Sequence, residues 1–345
     1  MPPPDPSVFD GDRTAYGFFP SPPEATFESI LATFEAIGEH ADVVLFQPNI
    51  PWQDFLEGAQ ADSQAVTDLR NQVSLARQQG LEAIFVIDPL NGLNRREFFG
   101  LPASLTGADF SWPEVRLAYR NFTLGVLREF SPRYLGLASE INTYADAHPQ
   151  DFPNFVGLYR ETYAAIKEEA PATQVFVTFQ WEDLNNLFAG ASEGRAAFDI
   201  NWDQVEVFEP ELDAWVISSY PFAAFSAGAD IPPDYYTPLL SRTSRPLAVG
   251  EGGYTSSPVG PFQGTPQDQV AYLEAIHEQL GARLRFWVYL LLSDFDIDSY
   301  AEAMRQRGSG QADIDTLGLF TAVGLRESDG TPKPALAVWD GFRPP

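Results

Sequence analysis

Eight short, almost wholly apolar segments recur along the chain, and most of them are separated by stretches with helical periodicity. Such segments are typical of strands buried on both faces, as parallel sheets require. The intervening stretches repeat apolar residues three or four positions apart, as at Phe27, Ile30 and Phe34. The predicted strands are residues 15–19, 42–46, 81–87, 134–138, 174–179, 214–218, 246–249 and 284–292. The predicted helices are residues 23–40, 62–79, 112–130, 155–169, 232–240, 267–280 and 334–339.

Eight strand–helix units in about 300 residues predict an α/β fold that consists of a single (β/α)8 TIM barrel. The alternative is an open, doubly wound sheet. Neither a Gly-x-Gly-x-x-Gly fingerprint nor a phosphate-binding loop follows the first strand, which excludes the usual nucleotide-binding forms of that alternative. We expect one barrel domain at residues 13–345, after a Pro-rich linker at residues 1–12. The alternative for the linker is an ordinary disordered N-terminus.

The acidic charge of the chain restricts its partners. The 48 Asp and Glu residues exceed the 21 Lys and Arg residues, for a formal net charge of −27. This charge would repel a nucleic-acid backbone or an anionic membrane surface. We therefore expect no nucleic-acid partner. We also expect no membrane insertion, because every apolar run is far shorter than the ~20 residues of a membrane helix.

The scarcity of three residue types restricts the chemistry. The chain has no Cys, three His that lie far apart in sequence, and two Lys. Thiol nucleophiles and clustered His or Cys metal ligands are therefore missing. Lys167 lies in a charged helical segment and Lys333 just before the last helix, so neither is placed at a strand end for Schiff-base chemistry. We expect no cofactor and no metal, and carboxylates remain as the acid, base and nucleophile.

Two carboxylates follow predicted strands, where a (β/α)8 barrel places its active site. Glu140 follows the fourth strand and Glu251 the seventh, each beside small residues that leave room for a ligand. Hydrolysis of a glycoside requires two carboxyl groups across one bond: one donates a proton, and the other attacks or activates water. The alternative is chance, because most of the 48 acidic residues lie on solvated helix faces.

Other residues near the strand ends suit a saccharide ligand. Aromatic rings stack on the C–H faces of sugars, and side-chain amides and carboxylates bind sugar hydroxyls. The alternative for the aromatic residues is anchoring of loops to the barrel rim. The candidate substrate-binding residues on this pattern are Asn49, Trp52, Asp88, Ser139, Asn142, Tyr144, Gln180, Trp181, Trp202 and Tyr289.

The sequence resembles the clan A glycoside hydrolases, which are retaining (β/α)8-barrel enzymes. The resemblance lies in the order of six motifs, each weak alone: GFFPSP, LASEIN, SSYP, VGEGGY, FWVY and the closing GLRESDGTPKPALAVW. It implies that Glu140 is the acid/base and Glu251 the nucleophile. It also implies that Tyr220 hydrogen-bonds the nucleophile and that Trp287 forms the floor of the −1 sugar site. The alternatives are a turn residue for Tyr220 and a core residue for Trp287.

Two departures from that clan leave the sugar open. The clan often has Asn directly before the acid/base Glu, whereas this chain has Ser139 there and Asn142 two residues after the Glu. The clan also often places an Arg near the nucleophile from an early strand, whereas the second strand here is followed by Gln47 and Asn49.

The sequence thus predicts a retaining, endo-acting glycoside hydrolase for a β-linked polysaccharide such as mannan, galactan or glucan. We expect a monomer that acts in an extracellular or periplasmic compartment. The alternatives are a carbohydrate-binding barrel without catalysis and a transglycosylase that uses the same residues.

Overall fold

The computed structural model describes residues 6–11, 13–58, 63–188, 194–306 and 310–343, so half of the predicted linker lies outside the described residues. The strands are β1 Ala15–Phe18, β2 Val43–Phe46, β3 Glu82–Val86, β4 Leu90–Asn91, β5 Asn94–Phe98, β6 Tyr134–Gly136, β7 Gln174–Phe176, β8 Thr178–Gln180, β9 Trp215–Ser219, β10 Leu247–Gly252 and β11 Leu284–Tyr289. The helices are α1 Phe27–His40, α2 Trp52–Phe55, α3 Gln64–Gln78, α4 Pro113–Phe130, α5 Ile141–Ala147, α6 Phe152–Glu169, α7 Trp181–Leu184, α8 Asp203–Glu206, α9 Pro238–Arg242, α10 Pro266–Leu280, α11 Ile297–Gln306, α12 Gln311–Gly318 and α13 Pro334–Phe342.

Nine strands of the described chain form one sheet, in the order β7-β6-β3-β2-β1-β11-β10-β9-β8. The first and last members of this order, β7 and β8, are two parts of the single run Gln174–Gln180, so the order returns to the segment where it began. The pairs β1–β2, β1–β11, β3–β6, β6–β7 and β10–β11 are parallel. All eight predicted strands are present, the fifth as two pieces, and the predicted (β/α)8 fold class is confirmed.

The strands are short and buried, as their apolar composition predicts. Every residue of β1, β2 and β9 is buried. Gly17 allows β1 and β2 to approach, because a Cβ there would lie 2.5 Å from Val43 Cγ2 and 2.8 Å from the Val43 carbonyl oxygen. A residue with a side chain at this position would push the two strands apart.

Local signals set the helix boundaries. The Thr26 side chain accepts from the Ser29 backbone N–H at 3.2 Å at the start of α1, and Thr265 does the same for Asp268 at the start of α10. The predicted helix 232–240 is wrong in its first six residues, and α9 begins only at Pro238. Two consecutive prolines, Pro232 and Pro233, begin that segment and lack N–H groups, and turns follow them instead.

A β-hairpin after β3 was not predicted. Its strands β4 and β5 are antiparallel, with Leu90 opposite Phe98 and Asn91 opposite Asn94. The signal was available, because Asn-Gly at residues 91–92 is a strong turn former between short strands. The Asn91 side chain accepts from the Leu93 N–H at 3.0 Å inside the turn.

The chain forms two compact units, neither of which is continuous in sequence. The first consists of Met1–Leu45, Leu75–Glu82 and Ser218–Pro345, and the second of Phe46–Ser74 and Ala83–Ile217. The single domain at residues 13–345 stays a prediction. No helix of the described chain is both long and apolar enough to span a membrane.

Aromatic side chains form much of the core of each unit. In the first unit Trp339 packs edge-on against Tyr16 at 5.2 Å and tilted against Phe18 at 5.0 Å, measured between ring centroids. In the second unit Phe85 stacks on Phe46 at 5.6 Å and on Phe130 at 5.0 Å. These contacts tie the strands to the helices and so hold the strand ends that carry the polar residues.

The close approach of β1 and β2 makes Gly17 a test of the fold. We expect Gly17→Ala to lower the free energy of unfolding by about 1–3 kcal/mol, because the added methyl overlaps Val43. Urea unfolding measures the change. Gly341→Ala in α13 is the control, since a Cβ there meets no atom within 4 Å. Equal stability of the two variants would contradict the strand contact.

Candidate active site

Glu140 stands at the junction of β6 and α5 in a strained backbone conformation. Its φ of 49° and ψ of 43° are left-handed, a region that residues with a Cβ rarely adopt. The Glu140 N–H donates to the Thr178 hydroxyl at 2.8 Å. The side chain is buried, with 8% of the residue exposed. Strain of this kind persists only where the surroundings hold it and is frequent at functional sites.

A single arginine organises the Glu140 carboxylate. Arg95 Nε donates to Glu140 Oε2 at 3.0 Å, Nη2 donates to Ser139 Oγ at 3.3 Å, and Nη1 donates to Asp88 Oδ2. Arg95 is 7% exposed. Charge-assisted hydrogen bonds in such a buried place are stronger and better oriented than the same bonds at the surface. We call Asp88, Arg95, Ser139, Glu140 and Thr178 the Glu140 cluster.

Asp88 holds the far side of the Arg95 guanidinium. Its carboxylate also accepts from Gln47 Nε2 at 2.8 Å and from the Leu90 N–H at 3.1 Å. Burial raises the pKa of Asp88, and the Arg95 charge opposes that effect. Because these donors occupy its carboxylate, Asp88 supports Arg95. The sequence predicted instead that Asp88 binds a hydroxyl group of the substrate directly.

Arg95 is the site residue that the sequence reasoning missed. The sequence prediction places its candidates directly after the strands, and after the second strand these are Gln47 and Asn49. Arg95 instead comes from β5, the returning strand of the hairpin. Recognition of the Asn91-Gly92 turn would have placed it near the end of β3.

Three predicted hydroxyl partners have their hydrogen-bonding groups engaged within the protein. The Asn142 amide donates to the Gln180 carbonyl at 3.2 Å and to Asp183 Oδ2 at 3.0 Å, and it accepts from the Gln180 N–H at 2.8 Å. The Gln180 side chain accepts from the Asp183 N–H at 2.6 Å and caps α7. Asn49 donates to the Asp88 and Leu90 carbonyls, both at 3.3 Å. The three side chains therefore stabilise the loops around the Glu140 cluster, and their role as substrate-binding residues stays a prediction.

The predicted tryptophan platforms of the second unit anchor loops. Trp52 is buried, and its indole N–H donates to the Phe99 carbonyl at 2.7 Å. Trp181 is fully buried, with its ring centroid 6.1 Å from that of the partly exposed Trp202. Tyr144 is also buried, and its hydroxyl donates to Asp151 at 2.7 Å. Trp52, Trp181 and Tyr144 present no open ring face, so the alternative interpretation as loop anchors fits them.

Glu251 lies on β10 in the first unit and contacts the predicted tyrosine. The Tyr220 hydroxyl donates to Glu251 Oε1. The two residues are 7% and 8% exposed, respectively. Tyr220 directly follows β9 and is supported edge-on by Phe320 at 5.3 Å between ring centroids. The implied hydrogen bond is present, and the role of nucleophile stays a prediction.

The glycines after Glu251 serve packing. A Cβ at Gly252 would lie 2.5 Å from the Tyr272 hydroxyl and 2.6 Å from the Ser219 carbonyl oxygen. A Cβ at Gly253 would lie 2.4 Å from Val323 Cγ1. These two small residues therefore make room for the protein itself, whereas the sequence suggested room for a ligand.

The predicted sugar-site floor, Trp287, is a core residue. It is fully buried on β11, edge-on to Trp339 at 5.2 Å and stacked on Phe342 at 6.0 Å. Both partners belong to α13, so the Trp287 ring faces that helix. Tyr289 is also buried and donates to the Val323 carbonyl at 2.8 Å. The substrate-binding interpretation of these two residues is wrong, because their ring faces are covered by side chains of the same unit.

Several solved structures share this fold. The exo-β-1,4-mannosidase of Opitutaceae bacterium strain TAV5 matches with a TM-score of 0.66 at 14% identity, over 96% of this chain and 59% of that protein. A GH5_18 protein of Bifidobacterium longum subsp. longum, solved in complex with Manβ1-4GlcNAc, matches with a TM-score of 0.66 at 15% identity, over 96% and 78%. A family 39 glycoside hydrolase of Bacteroides cellulosilyticus WH2 matches with a TM-score of 0.61 at 16% identity, over 96% and 64%.

The chain thus spans less than two thirds of the length of that mannosidase. No family model and no curated protein matches the sequence. At these identities the likeness shows the fold, a (β/α)8 barrel of the kind found in clan A glycoside hydrolases. The resemblance seen in the sequence motifs is confirmed at that level.

From the raised pKa of the buried Asp183 we expect a pH-dependent contribution to the stability of the protein. Burial, and next the charge of Asp146, raise the pKa of Asp183 to about 6. In the unfolded chain this carboxyl group ionises near pH 4, so between pH 4 and 6 the folded state binds more protons, and stability falls as pH rises. We expect this group to contribute a loss of about 2–3 kcal/mol between pH 4 and 7.

Asp183→Asn should remove that loss, because an amide does not ionise between pH 4 and 7. Its oxygen can still accept from Thr143, so the hydrogen bond is kept. Urea unfolding of both proteins at pH 4, 5, 6 and 7 gives the difference curve. Asp203→Asn is the control, since that side chain is 91% exposed. If the difference in free energy of unfolding between wild type and Asp183→Asn did not change with pH, the raised pKa of Asp183 would be contradicted.

Proposed function

We propose that the protein is a retaining glycoside hydrolase that acts on a β-linked glycan. The observation that carries the proposal is the pair of buried glutamates, Glu140 after β6 and Glu251 on β10, in the fold of clan A glycoside hydrolases. Each has a donor on its carboxylate: the Arg95 guanidinium for Glu140 and the Tyr220 hydroxyl for Glu251. Strand ends are where such barrels place catalytic residues.

The proposed reaction is a double displacement. Glu140 gives its proton to the glycosidic oxygen while Glu251 attacks the anomeric carbon, and the bond from that carbon to the leaving oxygen breaks. A covalent glycosyl-enzyme results. Glu140, now a carboxylate, takes a proton from water, which attacks the anomeric carbon and releases Glu251.

For the sugar we propose a β-mannoside. Mannan was among the substrates expected from the sequence, and two proteins with this fold are named for or bound to β-mannosides. We keep the endo-acting mode and the extracellular or periplasmic site of action as part of the proposal, since polymeric glycans lie outside the cell. Product analysis tests the mode: oligosaccharides from mannan support endo action, and mannose alone supports exo action.

Substitution of the two glutamates tests their roles separately. Glu251→Gln should reduce hydrolysis of mannan oligosaccharides to background, and Glu140→Gln should reduce kcat by about 10²–10⁴-fold through loss of the proton donor. Initial rates of reducing-sugar release measure both. Glu28→Gln, an exposed residue of α1, is the matched control and should keep the wild-type rate. Near wild-type activity of either active-site variant would overturn that assignment.

Azide distinguishes the two roles. A Glu251→Ala variant should form an α-glycosyl azide, because azide replaces the nucleophile and inverts the anomeric centre. A Glu140→Ala variant should form a β-glycosyl azide from an activated aryl glycoside, because azide then attacks the covalent intermediate. The opposite pattern would exchange the two assignments. Sugar binding by a wild-type protein without hydrolysis would favour the binding-only alternative, and oligosaccharide lengthening would favour transglycosylation.

The Tyr220 hydroxyl can be tested by its removal. Tyr220→Phe removes a hydrogen bond to a charged group, typically about 1.5–3 kcal/mol, so kcat/KM should fall by about 10- to 150-fold. Tyr163→Phe is the matched control, because Tyr163 donates to Asp213 at 3.0 Å without a proposed role in the reaction. If both variants kept the wild-type kcat/KM, the Tyr220 hydroxyl would have no role in catalysis.

A further inference from the structure

The hairpin β4–β5 contributes Arg95 to a carboxylate that must lose and regain a proton. All three guanidinium nitrogens of Arg95 contact the Glu140 cluster, and the Nε–Oε2 distance to Glu140 is 3.0 Å. A general acid needs its product, the carboxylate, stabilised at the moment that the proton leaves. A buried guanidinium beside that carboxylate supplies such stabilisation.

We propose that Arg95 is a positioning residue that orients the Glu140 carboxyl group and stabilises the carboxylate formed when Glu140 protonates the leaving group. The inference rests on the proposed function and deepens it. It assigns to Arg95 the step in which the glycosidic bond breaks. In the second step, in which water attacks the covalent intermediate, Glu140 takes up a proton instead of giving one. The positive charge of Arg95 therefore does not stabilise that step.

The hairpin is built to keep Arg95 in place. Asn49 donates to the Leu90 carbonyl at its first strand, and His148 Nε2 lies 2.7 Å from the Arg96 carbonyl oxygen at its second. Asp88, which receives Arg95 Nη1, is fixed in turn by Gln47 and by the Leu90 N–H. The guanidinium therefore has little freedom to move away when the charge of Glu140 changes.

Dependence on the leaving group separates this role from simple structural support. A 2,4-dinitrophenolate leaves without help from an acid, whereas the alcohol of a β-1,4-linked disaccharide needs the proton. Loss of Arg95 should therefore affect the disaccharide far more than the dinitrophenyl glycoside. A general loosening of the active site would lower both rates together.

The experiment compares kcat/KM for β-1,4-mannobiose and for 2,4-dinitrophenyl β-D-mannoside in the full chain. We expect Arg95→Ala to lose about 10²-fold or more on mannobiose and less than about tenfold on the dinitrophenyl glycoside. Added guanidinium ion should restore part of the mannobiose activity, and Arg95→Lys should retain an intermediate rate. Arg96→Ala, the exposed neighbour on β5, is the control and should match wild type on both substrates.

A double variant keeps the test decisive if Arg95→Ala alone destabilises the fold. Arg95→Ala alone leaves Asp88 buried without its cation, which is costly. Asp88→Asn with Arg95→Ala removes both charges and should show the same selective loss on mannobiose.

Equal losses on the two substrates, or none, would overturn the role of Arg95 and leave the proposed function standing. A wild-type protein that hydrolyses neither these two substrates nor mannan would overturn both the proposed function and the role of Arg95.

Discussion

A carboxylate removed from water needs hydrogen-bond donors at fixed positions, and this requirement applies to both Glu140 and Glu251. Desolvation of an ion costs several kcal/mol unless a partner compensates. Glu140 receives a cation, Arg95, whereas Glu251 receives a neutral hydroxyl, Tyr220. Residues that lie further away in each unit serve to hold those two donors: Asp88 behind Arg95, and Phe320 beside Tyr220.

The two environments suit two different tasks. An acid/base changes its charge twice in each catalytic cycle, so a fixed guanidinium on a rigid hairpin can stabilise one of its two states. A nucleophile stays ionised until it attacks, and a phenolic hydroxyl orients it while adding no net charge. The chain has two lysines against 19 arginines, and nothing in the structure explains this bias as a whole. At the Glu140 cluster, however, Arg95 uses the planar, three-nitrogen geometry that lysine lacks.

The residues near a strand end divide by whether their polar atoms are already satisfied. The Asn142 amide bonds to the Gln180 backbone and to Asp183, the Gln180 side chain accepts from the Asp183 N–H, and Trp52 donates to a carbonyl. From sequence these residues are as good candidates for a sugar site as Glu140 is, because position after a strand says which end a residue occupies. It does not say which neighbour the side chain contacts, since that neighbour can lie far away in the chain: Asn142 and Gln180 are 38 residues apart.

What the sequence determined by itself was the fold class and the position of two candidate carboxylates near strand ends. Alternating apolar segments with strand and helix periods are local signals, so the eight strands and the (β/α)8 class followed from them. The same signals placed Glu140 after a strand and Glu251 near the end of one. Only the tertiary structure decided that Trp287 faces α13, that Gly252 and Gly253 admit protein atoms, and that Arg95 reaches Glu140 from a hairpin. Those outcomes depend on which face of a strand a ring occupies and on contacts between distant segments, and packing sets both.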